Sequence, residues 1–254
     1  MTTPATTSIV YPDSDGMPLP DGEYQSPLFS AAVSTLRLFF RDVPGSRVNG
    51  DTFIYYVEGN PRIFFSPDCY VATDLSEESI ESIVRRNVYL TWEVGKAPDF
   101  ILEIGSPSTA QNDMGSKRDL YAELGIREYW KYDGTGGDFY GEPLVGERLV
   151  DGEYQRLEMR VEADGSVWAH SDALNLDLWW IDGELRFWNP VAEQWLLNHE
   201  QEHLRAEEER IGRMAAESRA DQEQARADEE QARAERAESR LAEMEAELRR
   251  LRSE

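Results

Sequence analysis

At 254 residues the chain has room for one large domain or two small ones, and its 40% hydrophobic content, with seven Trp and eleven Tyr, supports a real core. Its formal net charge of −24 is spread along the chain: residues 1–192 carry 15 basic against 32 acidic side chains, and residues 193–254 carry 11 against 18. Such a surface repels polyphosphate and argues against loose, sequence-independent nucleic-acid binding. No stretch approaches the ~20 apolar residues of a membrane span, and MTTPATTSIVYPDSDG has neither the basic start nor the apolar run of a secretory signal. The single Cys69 excludes an intramolecular disulfide. These features predict a cytoplasmic protein with no membrane association.

Residues 1–25 are rich in Thr, Pro, Asp and Gly without periodicity and read as a loose lead-in. SPLFSAAVSTLRLFFRD (26–42) places Leu28, Ala32, Leu36 and Phe39 or Phe40 at helical spacing, with Ser26 as cap and Pro27 in the first turn. Strand-like runs follow at 51–59 and 62–73, and EESIESIVRRN (77–87) suits a short helix or an irregular insert. APDFILEIGSPS (97–108) is a short apolar strand entering a Ser/Pro turn. DMGSKRDLYAELGI (113–126) reads as a helix with Met114, Leu120 and Leu124 inward and Gly125 at its left-handed end. REYWKYD (127–133) returns as a strand, and Asp-Gly pairs at 151–152, 164–165 and 182–183 mark hairpins. Strand, helix and strand followed by hairpins predicts an α/β (α+β) domain over 26–191, a mixed sheet with helices on it.

From residue 192 the sequence changes character. Residues 193–254 hold no Pro, one Gly and one Trp, and EQARA recurs at 223–227 and 230–234. Ala220, Ala227, Ala234, Leu241 and Leu248 share one heptad position, and Ala237, Met244 and Leu251 its partner; Leu204 and Ile211 upstream sit in another phase. A helix of this length extends roughly 90 Å at ~1.5 Å per residue. Two readings stand: a solvated single helix held by i,i+4 Glu–Arg pairs, or a coiled coil that makes the chain a homo-oligomer, a dimer through this segment or through the domain.

The densest polar constellation is PDFILEIGSPS (98–108). On an extended strand Phe100, Leu102 and Ile104 share one face and Asp99, Ile101, Glu103 and Gly105 the other. Asp99 and Glu103 then stand roughly 13 Å apart at ~3.3 Å per residue, too far to chelate one ion together. Glu103, inside an apolar strand, is costly to bury unless paired or metal-bound. A second Pro-Asp pair, Pro67-Asp68, ends a Phe-rich run. If that run pairs beside 99–104, Asp68 and Glu103 converge, and an oxygen-only donor set suits Mg²⁺ or Mn²⁺. Lys117, one of three lysines, has Asp113 and Tyr121 one turn away on the same helical face. An ammonium facing carboxylates can orient a water and stabilise charge on a phosphoryl group. Glu103 and Lys117 could equally form a buried ion pair without metal, Asp99 could cap its strand, and Tyr121, Tyr129 and Trp130 read as core.

The run PDFILEIGSPSTAQNDMGSKRDLYAELGIREYWKYD resembles the signature of the Uma-two type endonuclease family of the restriction-endonuclease-like, PD-(D/E)xK, superfamily. That signature is a PD…ExxSPS strand and turn, a D…K…Y helix and a G-[VI]-x-E-Y-W strand. They correspond to Pro98, Asp99, Glu103, Ser106, Pro107 and Ser108; Asp113, Lys117 and Tyr121; and Gly125, Glu128, Tyr129 and Trp130. PDCYV (67–71), LDLWWIDGELRFWNP (176–190) and the Ala/Glu/Arg tail also resemble the family, and Glu23 resembles an acidic position near its N-terminus. The resemblance implies a restriction-endonuclease-like core and Mg²⁺- or Mn²⁺-dependent hydrolysis of phosphodiesters, with DNA as substrate. It implies Asp68 and Glu103 as metal ligands and Asp99 as a third ligand or an outer support. The superfamily lysine stands two residues after the acid, where this chain has Gly105, so its role falls to Lys117. A rival reading is a nuclease-like scaffold that no longer cuts and assembles through its coiled coil. A third is a phosphodiesterase acting on small nucleotides.

Overall fold

The computed structural model describes residues 9–12 and 25–251, in two compact units, Met1–His199 and Glu200–Glu254. Helix α1 (Gln25–Phe40) is followed by β1 (Arg47–Asn49), β2 (Ile54–Tyr55), β3 (Phe64–Phe65), β4 (Cys69–Ala72), α2 (Glu77–Arg86), β5 (Tyr89–Leu90) and the single turn α3 (Thr91–Val94). Next come β6 (Phe100–Ile104), α4 (Ala110–Met114), α5 (Ser116–Glu123) and β7 (Glu128–Tyr132). The remaining strands are β8 (Leu144–Val150), β9 (Glu153–Arg156), β10 (Arg160–Val161), β11 (Val167–Ser171), β12 (Leu176–Ile181), β13 (Glu184–Asn189) and β14 (Gln194–Trp195); α6 (His199–Leu251) ends the described chain.

Several expectations need revision. Helix α1 starts at Gln25, so Ser26 lies inside it instead of capping it. The two long strands expected at 51–59 and 62–73 shorten to β2, β3 and β4; Pro67, which cannot supply a ladder N–H, lies in the break between β3 and β4. Segment 77–87 is a helix: Ser76 accepts from the Ser79 N–H at 3.1 Å, and Asn87 turns left-handed at its end. The helix expected over 113–126 breaks at Gly115 (φ −118°, ψ −100°) into α4 and α5, which leaves Met114 46% exposed rather than inward. Of the lead-in only residues 9–12 are described, and Tyr11 there is docked: its ring packs on Tyr55 and Trp92 and its hydroxyl accepts from the Gly59 N–H. Glu23 lies outside the described residues. The Asp151-Gly152 and Asp182-Gly183 turns have positive φ at both residues, the geometry that matches strand twist in two-residue hairpins.

The domain is built on a mixed six-stranded sheet, order β1-β4-β6-β7-β8-β9, in which only β6 and β7 run parallel. Parallel neighbours need a crossover, and α4 and α5 supply it. One face (Val71, Phe100, Leu102, Ile104, Trp130, Tyr132) packs on Leu36 and Phe40 of α1 and on Leu176, Leu178 and Phe187 of a second, antiparallel sheet, β10 to β14. The other face (Tyr70, Ala72, Ile101, Tyr129) packs on Tyr121 of α5, Ile83 of α2 and residues of the small sheet β3-β2-β5.

The two larger sheets are joined by Glu128, which is 1% exposed. Its carboxylate accepts from Trp130 Nε1 (3.0 Å), Ser171 Oγ (2.5 Å), the Asp172 N–H (2.9 Å) and Arg148 Nη2 (3.2 Å). The outer face of the second sheet carries a ladder in which Trp168 stacks on Trp179 with centroids 4.9 Å apart and Arg160 covers Trp168. Helix α6 is exposed along its described length, with Leu204, Ile211, Met214, Leu241 and Met244 all open to water; the side chains of Leu248 and Leu251 lie outside the described residues. No described helix is long and apolar enough to cross a membrane.

Removing a buried, multiply bonded carboxylate leaves several donors unpaired. Glu128→Ala is therefore expected to lower the unfolding free energy by about 3–5 kcal/mol, read as a reduced urea midpoint. A loss under about 1 kcal/mol would show that the clamp is dispensable.

Candidate active site

The β4–β6 ladder pairs Cys69 with Leu102, Tyr70 with Ile101 and Val71 with Phe100. One step further along this register Asp68 faces Glu103, on the side of the sheet away from α1. The Ile104 N–H donates to Asp68 Oδ2 at 2.6 Å, and the Asp68 N–H reaches Glu103 Oε2 only at 3.5 Å. The parallel crossover then brings α4 and α5 back over Glu103. Lys117 Nζ lies 3.1 Å from Glu103 Oε1 and 2.8 Å from Asp113 Oδ1. One turn further on, the Tyr121 hydroxyl donates to Glu103 Oε1 at 2.6 Å. From the loop after β7 the Tyr140 hydroxyl donates to Asp113 Oδ2 at 2.8 Å. Both carboxylates are out of water, Glu103 at 1% and Asp113 at 0% exposure.

Burial lifts the Glu103 carboxyl above its ordinary value; Lys117 and the Tyr121 hydroxyl pull it back only in part, and Asp113 pushes it further up. For Lys117, burial works to lower the pKa, but Glu103 and Asp113 outweigh it and hold the amine above the usual lysine value. Lys117 is thus a cation at neutral pH. Burial and the neighbouring carboxylates raise both tyrosines, so each hydroxyl keeps its proton and donates.

Glu103 and Asp113 share one ammonium, and Asp68 adds negative charge across the strand pair. Among these contacts Asp113 Oδ1 has only that shared ammonium, at 2.8 Å, as its partner. An under-compensated oxygen cluster of this kind fits a divalent cation. Among the described residues no group of three or more His, Cys, Asp or Glu is set to hold a metal. Mg²⁺ takes one or two carboxylates and fills its octahedron with water and substrate oxygens. Asp68 and Glu103 are the residues able to supply those carboxylates.

Of the four residues singled out from the sequence, three meet here: Asp68, Glu103 and Lys117. Asp99 stands at the other end of β6, roughly 13 Å away at ~3.3 Å per residue. Its carboxylate is engaged by Lys96 Nζ (2.7 Å), Arg127 Nε (3.1 Å) and the Thr73 N–H (2.8 Å). The expectation that it helps hold a metal finds no support in this geometry. Tyr121, expected as core, is buried but also bonded to Glu103. Asp113 was visible in the sequence as the i,i+4 neighbour of Lys117, although its role was not. Tyr140 lay beyond sequence reasoning, since nothing local signals a loop tyrosine folding back onto the end of a short helix.

The model of the family described as "Uma2: Putative restriction endonuclease" matches residues 16–185, more than half of the chain. A crystal structure described as a putative nuclease belonging to DUF820 from Anabaena variabilis ATCC 29413 aligns with a TM-score of 0.42 and 18% identity, covering 62% of this chain and 76% of that one. No curated protein matches the chain.

The lifted Glu103 carboxyl has a measurable consequence in cation-free protein. Its folded pKa lies above the ordinary 4.5. Its contribution to stability is therefore complete below that value and lost as pH rises through the folded pKa. In chelator, the urea stability of Glu103→Gln relative to wild type should improve as pH rises above 4.5. A difference independent of pH, or one moving towards wild type, would contradict a carboxylate disfavoured by burial.

Proposed function

We propose, from the premise that this chain belongs to the Uma2 restriction endonuclease family, that it hydrolyses phosphodiester bonds of DNA in the cytoplasm with Mg²⁺ or Mn²⁺ held by Asp68 and Glu103. The observation that carries the reading is the Lys117 ammonium, 3.1 Å from Glu103 and 2.8 Å from Asp113, beside a strand pair that aligns Asp68 with Glu103. The cation, when bound, supplies Lewis-acid stabilisation of the phosphoryl oxygens and makes a coordinated water more acidic.

The chain's own groups do the rest. Tyr121 fixes one Glu103 oxygen, leaving the other turned towards Asp68. Lys117, kept charged by its two carboxylates, orients the attacking water and donates to the negative charge that grows on the phosphoryl group. Water oxygen bonds to phosphorus, the bond to the leaving sugar oxygen breaks, and solvent takes up the water's proton and protonates the leaving oxygen. Asp99 is left out of this set because Lys96, Arg127 and Thr73 engage it.

The alternative, a nuclease-like scaffold that no longer cuts, draws on one observation: 32 acidic against 15 basic residues over 1–192, a poor surface for DNA. The C-terminal helix serves either reading as a self-association element. With Leu241 at heptad position a and Met244 at d, Arg233 and Arg240 fall at g and Glu238 and Glu245 at e. In a parallel, in-register pair Arg233 then faces Glu238 and Arg240 faces Glu245 of the second copy. Glu223 and Glu230 occupy d positions upstream, which confines the seam to the stretch from Ala234 onward.

Calorimetric titration with Mn²⁺ separates the readings: we expect heat with wild type, none with Glu103→Ala, and wild-type heat with Asp99→Asn. In plasmid-cleavage assays Glu103→Ala and Lys117→Ala should each lose about 100- to 1,000-fold in rate. No metal heat and no cutting by wild type would select the scaffold. For the tail, light scattering should give a dimer mass for the full chain and a monomer mass for Leu241→Glu/Met244→Glu. An unchanged mass would refute assembly through this seam.

A further inference from the structure

We propose that Tyr140 is a positioning residue which, through Asp113, sets the Lys117 ammonium in place as substitute for a lysine that position 105 cannot accept. This inference rests on the hydrolytic reading above.

Position 105 lies two residues after Glu103, and its side chain would point to the same face of the sheet. That space is filled. A Cβ at Gly105 would lie 3.0 Å from Tyr140 Cε2 and 3.1 Å from Phe139 Cδ2, tighter than carbon atoms ordinarily approach. The rings have little room to retreat. Asp133, wholly buried, accepts from the Phe139 and Tyr140 N–H groups at 2.7 and 3.3 Å through one oxygen and from the Thr135 N–H at 2.9 Å through the other. At the far end of the ring the phenol is tied to Asp113. The loop itself admits few alternatives: Gly137 has φ +129°, and a Cβ there would meet the Glu142 nitrogen at 3.1 Å.

The break at Gly115 makes this tie necessary. In an unbroken helix the turn geometry would hold Asp113 and Lys117 side by side. Here they lie on separate helices, α4 and α5, with a non-helical residue between them. Asp113 must be fixed from outside, and Tyr140 on Oδ2 and the Tyr129 hydroxyl on its backbone oxygen (2.9 Å) do so. Asp113 Oδ1 then stands 2.8 Å from Lys117 Nζ. Without the Tyr140 bond, the carboxylate can swing, and the ammonium loses one of the two charges that locate it.

The test uses the full-length chain with Tyr140→Phe and, independently, Gly105→Ala, which crowds the same ring. The first readout needs neither metal nor substrate. Mass spectrometry of brief amine acylation should show Lys117 labelled several-fold faster in both variants, with Lys96 and Lys131 unchanged. The second is Mn²⁺-dependent plasmid cleavage, where kcat should fall about 10- to 100-fold while KM for DNA stays within about twofold. Unchanged Lys117 labelling, faster labelling of all three lysines together, or a wild-type kcat in Tyr140→Phe would each overturn the proposal. If wild type itself does not cut, the hydrolytic reading fails, and the labelling result still decides whether Tyr140 places Lys117.

Discussion

One ammonium between two buried carboxylates is the constraint on which the rest of the site depends. Glu103 and Asp113 are nearly inaccessible to water, and an ionised carboxylate in such surroundings is tolerated only with a partner. Lys117 serves both, so neither is fully compensated. The parallel β6–β7 pair makes the sharing possible, because its crossover must carry a helix back across the face from which Glu103 projects. The tyrosines complete the arrangement by taking one oxygen of each carboxylate.

Strand β6 itself offers the control. Asp99 and Glu103 flank and occupy the same strand, point the same way and are similarly buried, yet their surroundings differ in sign. Asp99 meets two cations and two Thr73 donors and reads as a fastening between β6 and its neighbours. Glu103 has half an ammonium and a negative neighbour. On the proposed reading this under-compensated charge suits Glu103 to chemistry and the full pairing suits Asp99 to structure, and residue type alone does not separate the two.

The same contrast explains how far the sequence could be read. The alternation in FILEI, the Gly125 helix end and the Asp-Gly turns are local signals, and the β6 strand, the end of α5 and the hairpins follow them. Asp68, Glu103 and Lys117 were legible because strand alternation and helical spacing fix their directions once the two strands are paired. Asp99 shared its direction with Glu103 but not its partners, and the cations that claim it sit outside the strand, so alternation could not show its fate. The break at Gly115 was hidden because the apolar spacing around it still suits one helix. Tyr140 depends on Asp133 gathering a loop by three backbone N–H groups, a tertiary arrangement with no periodic trace.

Gly105 bears on how such a site can change over time. A point substitution there meets the Tyr140 and Phe139 rings before it can offer a new amine. The loop in turn cannot withdraw without releasing the aspartate that helps to locate Lys117. Shifting the amine from helix to strand therefore requires concerted changes in strand, loop and helix, with crowded or unanchored intermediates between. On the proposed reading, the packing of Tyr140 and Phe139 against position 105 keeps the amine on the helix.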